Sequence, residues 1–546
     1  MVNENLKINE NDVFRLFDIK KRKHSIAKYA LNNKIVPFPG FNSTTFNDKI
    51  WTVKKSEKYG NSYTLYLHSL RVTVELMLAY EATKEIEYFN KAEEIINSWI
   101  KHTEIDDDNP MIWYDHTTAN RTQALIQYIY LANQLKRDID ENLWMNLLKK
   151  HSEIMSNDDI YKFNNHGLMM DRSLMILGYI LGDESSIIKG KSRAINTFWY
   201  SFSSQGIHLE NSPQYHTMVV RMYNEIEAYL NKKDNSLGEH VVNYLKLAKE
   251  YIPLVTKPNQ RLSSIGDSGS DKQPRTKQYK NIYDIEAGIS ILQYEYPSPF
   301  FVTFITGYSS RVHKHKDDLS ITLNYKNKDF FVDPGKYSYT RNKTRTYITS
   351  QSAHSTFYLE DFNYNIHLEN RYNRKIVFES YHDNQSFTLV KGRHGDYTGC
   401  SSELTRTVVQ LKDYPILILL DNLDTDNENP LNLVQKFNLA TAVDIDNIDN
   451  GYRLTSDGEE MVVKQYLDVD QSRIIKGDKN KPVAVNSAGF AKVKETQQLE
   501  FKRSTTNSNV FITSVYDDRV VENLDIQIND KKLQININDQ TIDIYV

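Results

Sequence analysis

The hydrophobic period of this chain changes once, near Asn281, and no other feature constrains its fold as tightly. Before that point apolar residues recur at the three-to-four spacing of a helix face. Leu67, Leu70, Val74 and Leu78 form one stripe, and Ala92, Ile95, Ile96, Trp99 and Ile100 form the next. Further helical segments are expected over 142–155, 168–181 and 218–230, and all five tryptophans (51, 99, 113, 144 and 199) belong to this half. Beyond Asn281 the period becomes two. Leu319, Ile321, Leu323 and Tyr325 alternate with polar residues, 326–329 reads as a turn, and Phe330-Phe331-Val332 resumes the strand pattern. The C-terminus continues in kind, with Leu524, Ile526 and Ile528, then Leu533, Ile535 and Ile537, then Ile542, Ile544 and Val546. Helices of similar length joined by short polar loops predict helix pairs in a bundle or toroid. Short strands with frequent turns predict antiparallel sheets stacked as a sandwich. The polar, aperiodic stretch 271–280 is placed near the junction.

At 546 residues the chain exceeds one ordinary core, so two or three domains are expected. The net charge of -4 and a pI near 6.5 exclude the strongly basic surface of a nucleic-acid binder, while leaving room for a local basic groove. Tyrosine numbers 36, and tyrosine faces stack on sugar rings, although packing in a large protein uses them equally well. A single cysteine, Cys400, cannot form an intrachain disulfide, which fits a reducing compartment. The N-terminal residues lack the apolar core of a signal peptide, and no run is long enough to cross a bilayer. The chain as written therefore reads as cytoplasmic, or secreted if it is a processed form, with no membrane partner.

Four clusters carry candidate chemistry. Asn164-Asn165-His166-Gly167 precedes an apolar helix, where asparagine also serves as an ordinary cap. Glu210 to His216 sets Tyr215 and His216 at a helix start marked by Ser212 and Pro213, a position suited to acid–base chemistry as well as to capping. In His313-Lys314-His315-Lys316-Asp317-Asp318, an extended backbone would project His313 and His315 from one face, and with Asp333 they make a credible divalent-metal site. Asp333-Pro334-Gly335 is a turn signature, and the basic and aromatic residues after it, Tyr339, Arg345 and Tyr347, are candidates to grip an anionic sugar. His116, Arg121 and His216 are further candidate substrate contacts.

Taken in order, NNHG (164–167), SPQYH (212–216), GDSGS (266–270), HKHKDDLS (313–320), DPGKYSY (333–339) and SAHST (352–356) resemble the heparinase II/III-like superfamily of polysaccharide lyases, which includes heparin-sulfate lyases and related alginate lyases. The likeness runs from roughly residue 25 to 440 and also takes in Ile50-Trp51, Leu67-His68 and Ser98-Trp99-Ile100. It implies an N-terminal (α/α) toroid, assigned to 1–285, followed by a C-terminal antiparallel β-sandwich, assigned to 286–546, with the active site where they meet. It also implies that Asn165 and His166 neutralise the substrate carboxylate, that Tyr215 is the catalytic tyrosine and that His313 is a second acid–base group. His315, Asp333 and His354 are implied as ligands of a structural metal, commonly zinc; after His354 this chain carries Ser355 where family members normally have Asn. No organic cofactor is expected.

The implied reaction is β-elimination on a uronic-acid-containing polysaccharide, the expected partner. Removing the weakly acidic C5 hydrogen moves negative charge onto the carboxylate, so a preorganised donor there favours the transition state. Heparosan or heparan sulfate, hyaluronan, alginate and unsulfated capsules all carry such a uronate. The alternatives are an alginate-type lyase, a glycoside hydrolase using two of Glu210, Asp267 and Asp317, and a silent glycan-binding or capsule-assembly protein. Nothing in the sequence sets an oligomeric state.

Overall fold

The computed structural model describes residues 6–17, 24–103, 109–529 and 531–546. Part of the N-terminal stretch read above for a signal peptide lies outside them. Among the described residues ten α-helices carry the first half: α1 (Ser25–Leu31), α2 (Asn61–His68), α3 (Arg71–Thr83), α4 (Ile86–Thr103), α5 (Asp115–Gln134), α6 (Glu141–Ser156), α7 (Asn165–Leu181), α8 (Glu184–Ser201), α9 (Pro213–Asn231) and α10 (Glu239–Val255). Within the helical unit α3 packs against α4 and α5, α5 against α6 and α7, and α7 against α8. Amphipathic spacing selects the buried faces: Leu76, Ile95, Trp99, Ile129 and Leu174 share one core. Among the described residues no helix is long and apolar enough to cross a membrane.

The stripe read through Leu67, Leu70, Val74 and Leu78 is broken in the structure. Leu70 adopts a left-handed φ of 54°, which ends α2 and starts α3 after a sharp turn. All four side chains are buried nonetheless, so the apolar pattern is satisfied by two helices rather than one.

From Ile282 onward the chain is an antiparallel β-sandwich. A five-stranded sheet runs in chain order through 282–284, 289–294, 300–305, 321–325 and 328–331. Its last hairpin turns on Lys326-Asn327, both at positive φ (47° and 66°), the geometry that matches strand twist in two-residue loops. An eight-stranded sheet is ordered 443–448, 451–456, 459–465, 509–516, 416–424, 403–411, 387–394 and 376–383. A four-stranded sheet contains 471–476, 497–505, 431–438 and 357–359. In strand 416–424, Leu417 and Leu419 face the core shared with Phe304, Phe357 and Phe437, while Ile416 and Ile418 pack with Ile526, Leu533 and Ile535 of the three-stranded C-terminal sheet. Burial on both faces explains why that strand is a continuous apolar run instead of an alternating one.

By contact density the chain separates into two compact units, residues 1–201 with 221–243, and residues 202–220 with 244–546. The start of α9, including Tyr215, therefore belongs to the sheet-bearing unit.

Candidate functional site

In the sheet-bearing unit, the site begins with the cap of α9. Ser212 Oγ accepts a hydrogen bond from the Tyr215 amide (3.3 Å) and pairs with Ser268 Oγ (2.7 Å), which in turn accepts from the Gln214 amide (3.1 Å). The GDSGS segment is thus docked on the helix start. Gly266 sits at φ 54°, and a Cβ there would lie 2.5 Å from the Asn211 carbonyl and 2.8 Å from the His313 carbonyl, so only glycine fits. Asn211 Nδ2 donates to the carbonyls of Ser310 (2.7 Å) and Val312 (2.9 Å), holding the histidine loop against the same place.

That loop is a turn, not the extended segment assumed above, because His313 itself has φ 59°. Its imidazole stacks on the Tyr215 ring, 3.5 Å between centroids and 20° from parallel. Tyr215 Oη lies 2.6 Å from Tyr339 Oη, and Tyr339 Oη lies 3.5 Å from His313 Nδ1. The Lys336 ammonium stands 5.2 Å from both phenol rings, placing positive charge beside the pair.

Asp267 joins these groups. Its Oδ2 accepts from His313 Nδ1 (3.1 Å), its Oδ1 from His315 Nε2 (3.0 Å), and Arg345 closes on both oxygens at 2.5 and 3.0 Å. Burial alone would raise this carboxyl, but hydrogen bonds from His313, His315 and Arg345 hold it well below the usual carboxylate range. An ionised Asp267 fixes two tautomers. His313 carries its hydrogen on Nδ1, so it exchanges protons at Nε2, where Glu210 Oε2 stands 3.5 Å away. Burial pushes the His313 imidazolium down, opposed by Asp267.

His315 carries its hydrogen on Nε2, so its Nδ1 lone pair faces His354 Nε2 at 3.3 Å. His354 is fixed the other way, since its Nδ1 donates to the Ser350 carbonyl at 2.8 Å. Two imidazole lone pairs therefore oppose each other, with Asp333 Oδ2 3.6 Å from His354 Nε2. All three ligand atoms lie within 4.8 Å of one another and all three residues are buried. A tetrahedral zinc with bonds of about 2.0–2.1 Å separates its ligand atoms by about 3.3 Å. The donor set and spacing fit a divalent cation.

A second group lies in the helical unit. Asn164 caps α7, its Oδ1 accepting from the His166 (2.9 Å) and Gly167 (3.3 Å) amides, while Asn165 is buried beside it. His166 Nδ1 donates to Asp115 Oδ1 (3.1 Å), leaving Nε2 for other partners, and the His116 ring lies 5.0 Å from the His166 ring. Burial, helped by the neighbouring His166, pushes His116 down to about 3. Burial would raise Asp115, but the bonds from His166 and the His116 amide hold it low.

Three of the candidate substrate contacts have their polar atoms turned inward. Arg121 is fully buried between Trp99 and Trp113 and donates to His151 Nε2 (2.9 Å) and to the carbonyls of His68 and Ile112. His216 accepts from the His208 amide (3.0 Å) and donates to the Ala248 carbonyl (2.8 Å), and burial pushes it down to about 4, so it is a neutral spacer under α9. Tyr347 Oη accepts from the Ala484 amide at 2.8 Å. The structure instead brings forward Asp267, Lys336 and Glu210 around His313. In the sequence Asp267 stood out only within GDSGS and, with Glu210, as a candidate hydrolase carboxyl, not as the partner of His313.

Comparison with known proteins follows the same two regions. A heparinase II/III N-terminus family model matches residues 3–294, and a heparinase II/III-like C-terminal model matches residues 286–523. Among solved structures, heparinase III superposes with a TM-score of 0.77 at 15% identity, covering 100% of this chain and 92% of that one. A heparan sulfate lyase mutant from Pedobacter heparinus gives 0.69 at 15% identity, covering 99% and 92%. No curated protein matches in sequence. At these identities the structural likeness bears on the fold: a helical toroid followed by a β-sandwich.

Proposed function

The chain belongs to the heparinase II/III family, and on that premise we propose that it is a lyase that cleaves a uronic-acid-containing glycosaminoglycan or capsule polymer by β-elimination. The observation that carries this reading is the Tyr215–His313 stack, two proton-exchanging groups in contact, with the imidazole oriented by Asp267. One of them takes the C5 proton and the other protonates the leaving glycosidic oxygen, the relative faces of proton and oxygen deciding the division. The resemblance assigns Asn165 and His166, in the helical unit, to a uronate carboxylate; the Asn165 amide is a donor as it stands and His166 becomes one at Nε2 only as the imidazolium, and loss of such a donor costs about a hundredfold in rate. Tyr339 lies against Tyr215 and keeps 44% of its surface exposed, which suits contact with a sugar. Arg345 acts through Asp267 and orients the histidines.

His315, Asp333 and His354 would hold a divalent cation, zinc by donor type, which when bound supplies a rigid link between the loops that carry them. The proton-transfer groups lie outside that ligand set.

A hydrolase needs two carboxyl groups flanking an accessible bond. Glu210, Asp267 and Asp317 are all buried, and two of them face His313 itself, so none is placed for that task. The test is incubation with heparosan, heparan sulfate, hyaluronan and alginate. The expected result is an unsaturated product absorbing in the near ultraviolet with at least one polymer. New reducing ends without that absorbance would replace the lyase reading with a hydrolase.

A further inference from the structure

The three residues before the NNHG motif show a feature that the chemistry above does not use. Phe163 keeps 49% of its surface exposed. Its ring is nevertheless contacted by two other aromatic rings. Tyr161 meets its ring edge-on at 5.4 Å, and Tyr200 at the end of α8 lies 5.5 Å away. Tyr161 is itself anchored, its Oη within 2.7 Å of Asp171 Oδ2 and 2.6 Å of Thr197 Oγ1, with the Arg193 guanidinium 4.4 Å from its ring. The loop is also pressed onto α7, because a Cβ at Gly167 would lie 2.0 Å from the Lys162 carbonyl. A single half-exposed aromatic is ordinary on a protein surface, but this one lies two residues from Asn165 and belongs to a contiguous row of aromatic rings and cations.

Two cations border the same rim. Lys162, adjacent to Phe163, holds its ammonium 5.4 Å from the Tyr114 ring and 3.7 Å from Asp115 Oδ2. Lys150 holds its ammonium 4.4 Å from the Trp113 ring, next to Tyr114 in the chain. Both lysines are exposed. Resting on aromatic faces restricts these long side chains before any ligand arrives, so less freedom is lost on binding. Lys150–Trp113, Tyr114–Lys162 and Phe163–Tyr200 thus follow one another by covalent adjacency or ring contact, beside His166 and His116.

We propose that this rim is an auxiliary subsite for an anionic polysaccharide, in which Phe163 stacks on a pyranose ring and Lys162 and Lys150 pair with carboxylates of neighbouring uronates. The inference rests on the uronate-polymer reading and adds to it a requirement for several sugar units. An aromatic face suits the apolar side of a sugar ring, and two spaced ammonium groups match a polymer that repeats one carboxylate per few residues rather than a single acid. Exposed charge pairs are screened by salt, so the lysine contribution has its own signature.

The test compares wild type, Phe163→Ala, Lys150→Gln and a control, Tyr545→Ala, which removes an aromatic exposed to 79% on the C-terminal sheet. Binding of heparosan octasaccharide and of heparosan polymer is measured directly by calorimetry at low and at moderate salt, alongside turnover. Phe163→Ala is expected to raise Kd and KM for the octasaccharide about fivefold. Lys150→Gln is expected to raise them two- to fivefold at low salt, with less effect at moderate salt. The control is expected to match wild type. Unchanged Kd in both variants, or a wild type that binds neither probe, overturns the subsite. Formation of unsaturated product with unchanged Kd overturns the subsite and leaves the lyase reading standing. Weakened binding in the variants with no unsaturated product from any polymer does the reverse.

Discussion

Tyr215 and His313 owe their pairing to two strained or capped backbone positions, the Ser212 cap and the left-handed His313, and to one carboxylate that reads both histidines of the loop. Tyr215→Phe keeps the ring stack and removes only the hydroxyl. Turnover is expected to fall by a factor of about a hundred or more with an unchanged melting profile. Wild-type rates in that folded variant would remove Tyr215 from the reaction. Asp267→Asn makes a finer test. The amide keeps the shape but gives up the ionised acceptor that His313, His315 and Arg345 share, and its NH2 group confronts a donor on one side. Metal affinity and turnover are both expected to fall about 10- to 100-fold, and nitrogen chemical shifts should show His313 and His315 as tautomer mixtures. Full metal affinity with a single His315 tautomer would show that Asp267 orients neither ring. Tyr215, His313 and the metal-type triad were legible in the sequence because their motifs occur in a fixed order. Asp267 was not, because its partners lie 46, 48 and 78 residues away and only folding brings them to one carboxylate. Arg121, named as a candidate substrate contact, is packed between two tryptophans, a placement that no local sequence pattern announces.

Elements were easier to read than the turns between them. Helices expected over 142–155 and 218–230 are found as Glu141–Ser156 and Pro213–Asn231, because amphipathic spacing reports burial directly. The break at Leu70 and the turn at His313 escaped because a positive φ at a non-glycine residue leaves no periodic trace. The helical unit also stores a pH dependence in its core. Burial, reinforced by the nearby Arg121, pushes His68 down to about 3. His151 must likewise be neutral, since its Nε2 accepts from Arg121 while its Nδ1 donates to the Leu147 carbonyl. A histidine titrating near 6.5 when unfolded and near 3 when folded binds its proton only in the unfolded state between those values. Its stabilising effect is complete above pH about 6.5 and is lost as pH falls, at about 1.4 kcal/mol per pH unit for each such residue. Denaturant unfolding followed by tryptophan fluorescence at pH 7.5, 6 and 5 should show this fall. His68→Gln should start from lower stability at pH 7.5 yet lose less on acidification, and a slope equal to wild type would exclude His68 as a source.

On the scale of the molecule, the two compact units have separate hydrophobic cores, one built from helix faces and the other from paired sheets. Their optical signals are separate as well. All five tryptophans, at 51, 99, 113, 144 and 199, lie within residues 1–201, so tryptophan fluorescence reports the helical unit alone. The proposed cation site lies entirely in the other unit, at His315, Asp333 and His354. A cation that binds the folded state at a free concentration 100 to 1,000 times its Kd adds about 3–4 kcal/mol to the stability of the unit that holds it. For a unit of about 320 residues that corresponds to roughly 4–6 °C in its melting temperature. Zinc-loaded protein dialysed against a chelator is therefore expected to lose that much in its calorimetric transition for the sheet-bearing unit, while the tryptophan-detected midpoint moves less. His315→Ala removes one ligand and also leaves Asp267 short of a donor, so it should contain no bound zinc and melt at the same temperature with or without chelator. Wild type and His315→Ala with equal zinc content would remove His315 from the ligand set, and a wild type whose calorimetric melting ignores the chelator would show that the loops hold together without a metal.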